Sequence, residues 1–176
     1  TIENVLRGNY RCIDGEERLY LDAVRYVKIN YASSGQQEVV WIFNLLFYYL
    51  FEDRKVFLIL EEPESHLYPD SQQSISEVLS LFQGEGNTLL ITTHSPYVLG
   101  TCNYLLLAGQ VNLSEHDTLK KSFVNDPHEI SAYHVHDGEM QDALSSEDNL
   151  SLINNSLIDG ASKQINDISD KIIELL

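Results

Sequence analysis

Near the middle of the chain, Val56-Phe57-Leu58-Ile59-Leu60-Glu61-Glu62-Pro63-Glu64 runs from five apolar residues straight into three carboxylates. An apolar run that short, part β-branched and part aromatic, fits a strand buried on both faces rather than a helix. Open α/β sheets bind ligands just past the carboxyl ends of such strands. Acids placed there suit a magnesium ion and a general base, the two requirements of phosphoryl transfer. Two further segments flank the strand: Ala32-Ser33-Ser34-Gly35-Gln36-Gln37 before it and Thr92-Thr93-His94-Ser95-Pro96 after it. A hydroxyl with free amides at a helix N-terminus makes an anion site, which Ser33 to Gln36 would supply. A Ser-capped helix without a ligand accounts for the same residues. His94 stands where an imidazole can donate or accept near neutral pH, or where it is simply a loop histidine beside the Ser95-Pro96 turn.

These segments need elements to carry them. From Val5 to Asn30 the pattern is short and strand-like. Asp14-Gly15 is a turn signal between Tyr10–Ile13 and Leu19–Leu21, and Val24, Tyr26, Val27 and Ile29 mark a further strand. A helix is expected from Ser34 to about Phe51, capped by Ser33 or Ser34. Its Trp41, Phe43, Phe47, Tyr48 and Tyr49 fit either core packing or a groove for another lobe. Val56–Leu60 is the central strand. Pro69-Asp70-Ser71 opens a second helix to about Phe82, with Ile75, Val78, Leu79 and Phe82 on one face and Gly84 and Gly86 ending it. Thr88–Thr92 is another buried strand, and Ser95-Pro96 starts a short helix. Leu105–Ala108 reads as a strand and 109–129 as a polar loop or lid. Ile130–Val135 and Glu139–Leu144 form a hairpin across Asp137-Gly138, and 159–176 an amphipathic helix aligning Ile165, Ile168, Ile172 and Leu175. The alternation predicts an α/β fold with a mostly parallel sheet flanked by helices. One domain is expected over 1–176: a strand-rich entry (1–30), a motif-bearing α/β core (31–108), then loop, hairpin and C-terminal helix (109–176).

The 176 residues suffice for one α/β domain with a sizeable core, and 43% hydrophobic with 22% charged residues fits a globular chain. With 11 basic against 27 acidic residues, the net charge is −16. That balance argues against a nucleic-acid-binding face on this segment, because phosphate contacts need clustered Lys and Arg. Cys12 and Cys102 fit no CxxC pattern, so neither disulfide nor metal site is inferred, and a reducing, cytoplasmic setting is expected. The apolar run from Val39 to Phe51 is interrupted by Asn44 and falls short of the ~18–20 residues that span a bilayer, so no membrane partner is expected. His134 and His136 share a strand face as a conceivable metal pair; with no third ligand nearby in sequence, an exposed hairpin is the preferred reading.

The order SSGQQ, apolar strand with EEPE, then TTHSP resembles the C-terminal lobe of an ABC-type ATPase, a P-loop NTPase. The wording EEPESHLYP is most similar to RecF-like and OLD-family (overcoming-lysogenization-defect) ATPases of DNA repair and phage defence. The resemblance is strong over Tyr31 to Leu99 and weak in the flanks. It implies that Ser33, Ser34, Gly35 and Gln36 are the signature motif, reaching across a dimer to the γ-phosphate of ATP held by the partner. Position 34 is Ser where the broad family usually has Gly. It further implies that Glu61, usually Asp, supports Mg2+ through water, that Glu62 polarises the attacking water, and that His94 is the switch histidine sensing the γ-phosphate. Ser65 to Pro69 would be the D-loop linking two active sites, with His66 or Tyr68 facing a partner or merely packing. Glu64 has no assigned role.

No GxxxxGK[ST] phosphate loop occurs in the sequence. In the resembled family that loop lies in an N-terminal Walker A lobe. Together with Thr1 at the start, its absence leads to the expectation of a C-terminal lobe of a larger ATPase, inactive alone. Such a protein would form a homodimer or higher oligomer, and would reach DNA or a nuclease effector through other regions. A rival reading is a degenerate, nucleotide-independent dimerisation or regulatory module. A magnesium-dependent nuclease built on Glu61, Glu62 and Glu64 is disfavoured, because the acids follow a single strand and no separate acidic motif completes a two-metal site.

Overall fold

The computed structural model describes residues 2–110, 129–147 and 150–154. They cluster into two compact units, one running to Thr93 and the other starting at His94.

In the first unit, helix α1 (Ile2–Leu6) leads into strands β1 (Asn9–Ile13), β2 (Glu16–Tyr20) and β3 (Tyr26–Lys28). The opening was expected to be strand-like from Val5. Val5 and Leu6 are instead buried in α1, a helix too short to announce itself by periodicity. Asp14 and Gly15 adopt φ of 52° and 78°, the doubly left-handed turn that joins antiparallel strands. Asp22 accepts from the Arg25 and Val24 N–H groups and from the Arg25 guanidinium, which together hold its carboxyl below the usual range.

A 3-10 turn (Ile29–Tyr31) precedes α2 (Ser34–Phe51), and then β4 (Phe57–Glu61), α3 (Pro69–Gly84) and β5 (Thr88–Thr92) form a βαβ unit. β4 and β5 pair in parallel, from Phe57 with Thr88 to Glu61 with Thr92. Asn87 ties this unit together: its amide donates to the Phe82 carbonyl at 2.8 Å and accepts from the Val56 N–H at 3.1 Å. The core joins Val5, Leu6 and Leu19 to Val39, Phe43 and Leu46 of α2 and Ile75, Leu79 and Phe82 of α3. Leu58, Leu60, Leu89 and Ile91 pack against it from the sheet. The opposite sheet face is open, with Phe57 62%, Ile59 61% and Leu90 48% exposed. On α2, Phe43 is buried and Tyr49 half-buried, but Trp41 is 74% exposed and Tyr48 also faces solvent, so core packing accounts for only part of that aromatic run.

The second unit holds α4 (Pro96–Gln110) and two hairpins, β6 (Tyr133–His136) with β7 (Glu139–Asp142) and β8 (Leu144–Glu147) with β9 (Leu150–Ile153). Two expectations are corrected here. The helix after Ser95 is 15 residues long rather than short, and Leu105–Ala108 belongs to it rather than to a strand. Its buried Val98, Thr101, Leu105 and Ala108 recur at helical spacing, and no proline follows Pro96 in the run. Asn103 and Gln110 stand seven apart on this helix and exchange paired hydrogen bonds of 2.6–2.9 Å with the backbone of Ile153 and Ser151. Side-chain amides thereby occupy the place of a neighbouring strand on β9. The β6–β7 hairpin turns at Asp137-Gly138 as expected; β8 and β9 were not foreseen.

Among the described strands, one pairing is parallel and four are antiparallel, so the expected mostly parallel sheet does not hold for them. Asp-Gly turns can join only antiparallel neighbours; α3 alone supplies the long crossover that parallel pairing needs. Of the polar loop expected at 109–129, Gly109 and Gln110 instead close α4, and 111–128 lie outside the described residues, as does the amphipathic helix expected at 159–176. No helix among the described residues is long and apolar enough to cross a membrane.

Candidate active site

At the carboxyl end of β4, alternation along the strand puts Glu61 on the open face with Phe57 and Ile59, its carboxylate exposed. Glu62 then leaves the strand with φ of 43°. This left-handed conformation costs a residue with a Cβ roughly 1–2 kcal/mol. The Glu62 N–H donates to the Thr92 carbonyl at 3.0 Å, with the Thr92 hydroxyl oxygen 3.3 Å away, so the end of β5 holds the strained residue. Beyond Pro63 the chain coils tightly, the Ser65 N–H donating to the Glu62 carbonyl at 3.0 Å and the Leu67 N–H to the Glu64 carbonyl at 2.9 Å. Tyr68 then caps α3 through its backbone alone, with Pro69 in the first turn.

Glu64 points the other way from Glu61. It is 3% exposed, its Oε1 accepts from the Thr93 hydroxyl, and its Oε2 has no hydrogen-bond partner among the described residues.

The N-terminus of α2 forms a capping box. Ser33 Oγ accepts from the Gln36 N–H at 3.3 Å and Gln36 Oε1 accepts from the Ser33 N–H at 3.1 Å, while Gln36 Nε2 donates to the Leu6 carbonyl at 2.8 Å. Ser33 and Ser34 are exposed, and Gly35 is buried. A Cβ on Gly35 would lie 2.3 Å from the His66 carbonyl oxygen, so this approach admits only glycine. One turn later, Glu38 pairs with His66 Nδ1 at 2.8 Å.

The structure thus joins the first turn of α2 to the Ser65–Leu67 segment, and Glu62 to the end of β5. His66 is engaged within the chain by Glu38. Tyr68 is 74% exposed, with the Arg7 guanidinium 5.4 Å from its ring centre. His94 stands two residues beyond β5, as the first residue of the second unit. Sequence reasoning missed Thr92, Thr93 and the burial of Glu64, since neither a threonine pair nor a third carboxylate in a row announces which side chain turns inward. On the second unit the His134 and His136 rings stack with centres 5.8 Å apart. No group of three potential ligands that could hold a metal occurs among the described residues.

The sequence profile of the AAA ATPase domain family matches residues 2–99, more than half of the chain. The chain belongs to that family. Its function is accordingly of the ATP-binding and ATP-hydrolysing type. The matched stretch of this ATPase domain takes in all the site residues discussed, from Ser33 to His94. A solved structure from work on ATP-driven dimerization and DNA stimulated activation of SMC ATPases is similar, with a TM-score of 0.51 at 14% identity, covering 96% of this chain and 86% of that one. At that identity the likeness speaks for the fold, a P-loop NTPase-like α/β arrangement. The search of curated proteins gives no match.

Proposed function

We propose that this chain is the signature, Walker B and switch-histidine lobe of an ABC-type ATPase that binds and hydrolyses ATP when completed by a phosphate-loop lobe and dimerised. Glu62 orients and polarises the attacking water. His94 senses the γ-phosphate, and Ser33, Ser34, Gly35 and Gln36 present the α2 N-terminus to nucleotide held by the partner subunit. His66 and Tyr68 lie toward that partner. The setting is the cytoplasm, and the work coupled to hydrolysis is DNA repair or antiphage defence, with DNA or a nuclease effector contacted through other regions.

The observation that carries this reading is the end of β4, an exposed acid at Glu61 followed by a second held in a strained conformation at Glu62. Strain of this kind persists only where the surroundings over-determine it, and it clusters at functional sites. The open apolar face of β4 and β5 supports the missing lobe, because parallel sheets are ordinarily covered on both faces. A magnesium ion, when bound, would neutralise charge developing on the phosphates. Glu61 would hold it through water. This largely hydrated ion is ordinarily bound by one or two carboxylates, its other ligands coming from water and nucleotide.

In the complete protein, Glu62→Gln is expected to retain ATP binding and lower hydrolysis by about 10²- to 10⁴-fold, the usual contribution of a positioned base. Unchanged turnover would remove Glu62 from its role. A nucleotide-independent scaffold is favoured by one observation: Ser33, Gly35 and Gln36 are each accounted for by packing and capping within the chain.

A further inference from the structure

A strained residue stays strained only if the structure on either side grips it. Before Glu62 the grip is clear, since Glu61 is fixed by its pairing with Thr92 and the Glu62 N–H is held by the same threonine. After Glu62, Pro63 fixes its own φ but cannot donate. The turn closes with the Ser65 N–H donating to the Glu62 carbonyl at 3.0 Å, and its side-chain anchor is the buried Glu64, which the Thr93 hydroxyl holds. Consecutive threonines at the end of β5 therefore grip the turn at alternate residues, Thr92 at Glu62 and Thr93 at Glu64.

The second grip is not decorative. Glu64 is buried, so water does not replace a lost donor, and a hydrogen bond to a carboxylate is stronger and stiffer than a neutral one. Because Oε2 has no partner, the Thr93 hydroxyl is the one hydrogen-bond donor to this carboxylate among the described residues. No metal-holding cluster includes it among those residues.

We propose that Glu64 is a positioning residue, whose hydrogen bond from Thr93 locks the turn that aims the Glu62 carboxylate. This rests on the reading of Glu62 as the group that orients water. Glu64 itself touches no reacting atom; it acts through Glu62.

The test uses the complete ATPase, with ATP hydrolysis, ATP binding and thermal unfolding measured on each variant. Thr93→Val and Glu64→Ala are expected to lower kcat by about 10- to 100-fold, as small misplacements of a reacting group do, with affinity for ATP little changed. Their double variant should be no slower than the slower single, since both remove one bond. Glu64→Gln and Thr93→Ser are expected to keep near-normal kcat, because an amide carbonyl still accepts from a hydroxyl. If the Val or Ala variant is unfolded at the assay temperature, the conservative pair decides, and a kcat loss above tenfold in either folded variant overturns the proposal. So does full turnover in Thr93→Val, or a dead Glu64→Gln beside an active Thr93→Val, which would assign the role to the charge. Should Glu62→Gln turn over normally, the reading of Glu62 fails. If it is inactive while all four Glu64 and Thr93 variants work, the clamp alone fails.

Discussion

Glu62 shows how one residue can carry opposed demands. Its φ of 43° is a conformation that suits glycine, yet the position holds a carboxylate. Replacing it by glycine relieves the steric cost of the Cβ while removing the acid. Glu62→Gly is therefore expected to raise stability by up to about 1 kcal/mol in denaturant unfolding while abolishing ATP hydrolysis. A variant less stable than the parent would show that the conformation is not strained. The spacing of the carboxylates is plain in the sequence, but their division of labour is not. Glu61, Glu62 and Glu64 read alike as letters, and only the turn after β4 sends one to solvent, twists the second and buries the third against Thr93.

At the level of elements, the close approach of α2 to the Ser65–Leu67 segment is what connects two motifs about thirty residues apart. Gly35 permits it, and the Glu38–His66 pair reinforces it at the surface. Gly35→Ala must push two backbones apart, so it is expected to cost about 1–3 kcal/mol, the usual penalty of overpacking a tight contact. Unfolding in denaturant measures this directly, and a loss below about 0.5 kcal/mol would mean that the contact is loose. The serine N-cap of α2 and both Asp-Gly hairpins were legible beforehand, since each depends on residues a few positions apart. The Leu105–Ala108 segment was misread because a short apolar run fits a strand or a helix equally well; burial along all of α4 settles it. β8 and β9 carried no comparable turn signal, and β9 is steadied by Asn103 and Gln110 from about forty to fifty residues away.

For the molecule as a whole, the open face of β4 and β5 is the largest departure from what a self-sufficient α/β unit does with its sheet. If a phosphate-loop lobe covers that face in the complete protein, then Ile59→Lys buries a charge there. It is expected to destabilise the complete protein by about 2 kcal/mol or more, whereas an uncovered face would absorb the change within about 0.5 kcal/mol. Denaturant unfolding of the complete protein with and without the substitution checks it. The sequence by itself determined the order of the motifs, the acidic balance, the two Asp-Gly turns, the serine cap of α2 and the two principal helices, because these rest on short-range chemistry and periodicity. Tertiary structure alone decided which carboxylate is buried, that Gly35 is needed by a carbonyl rather than only by a ligand, and which apolar strand face is left uncovered. Those outcomes depend on what lies across the chain, and no local pattern of residue types encodes the neighbour that a side chain will meet.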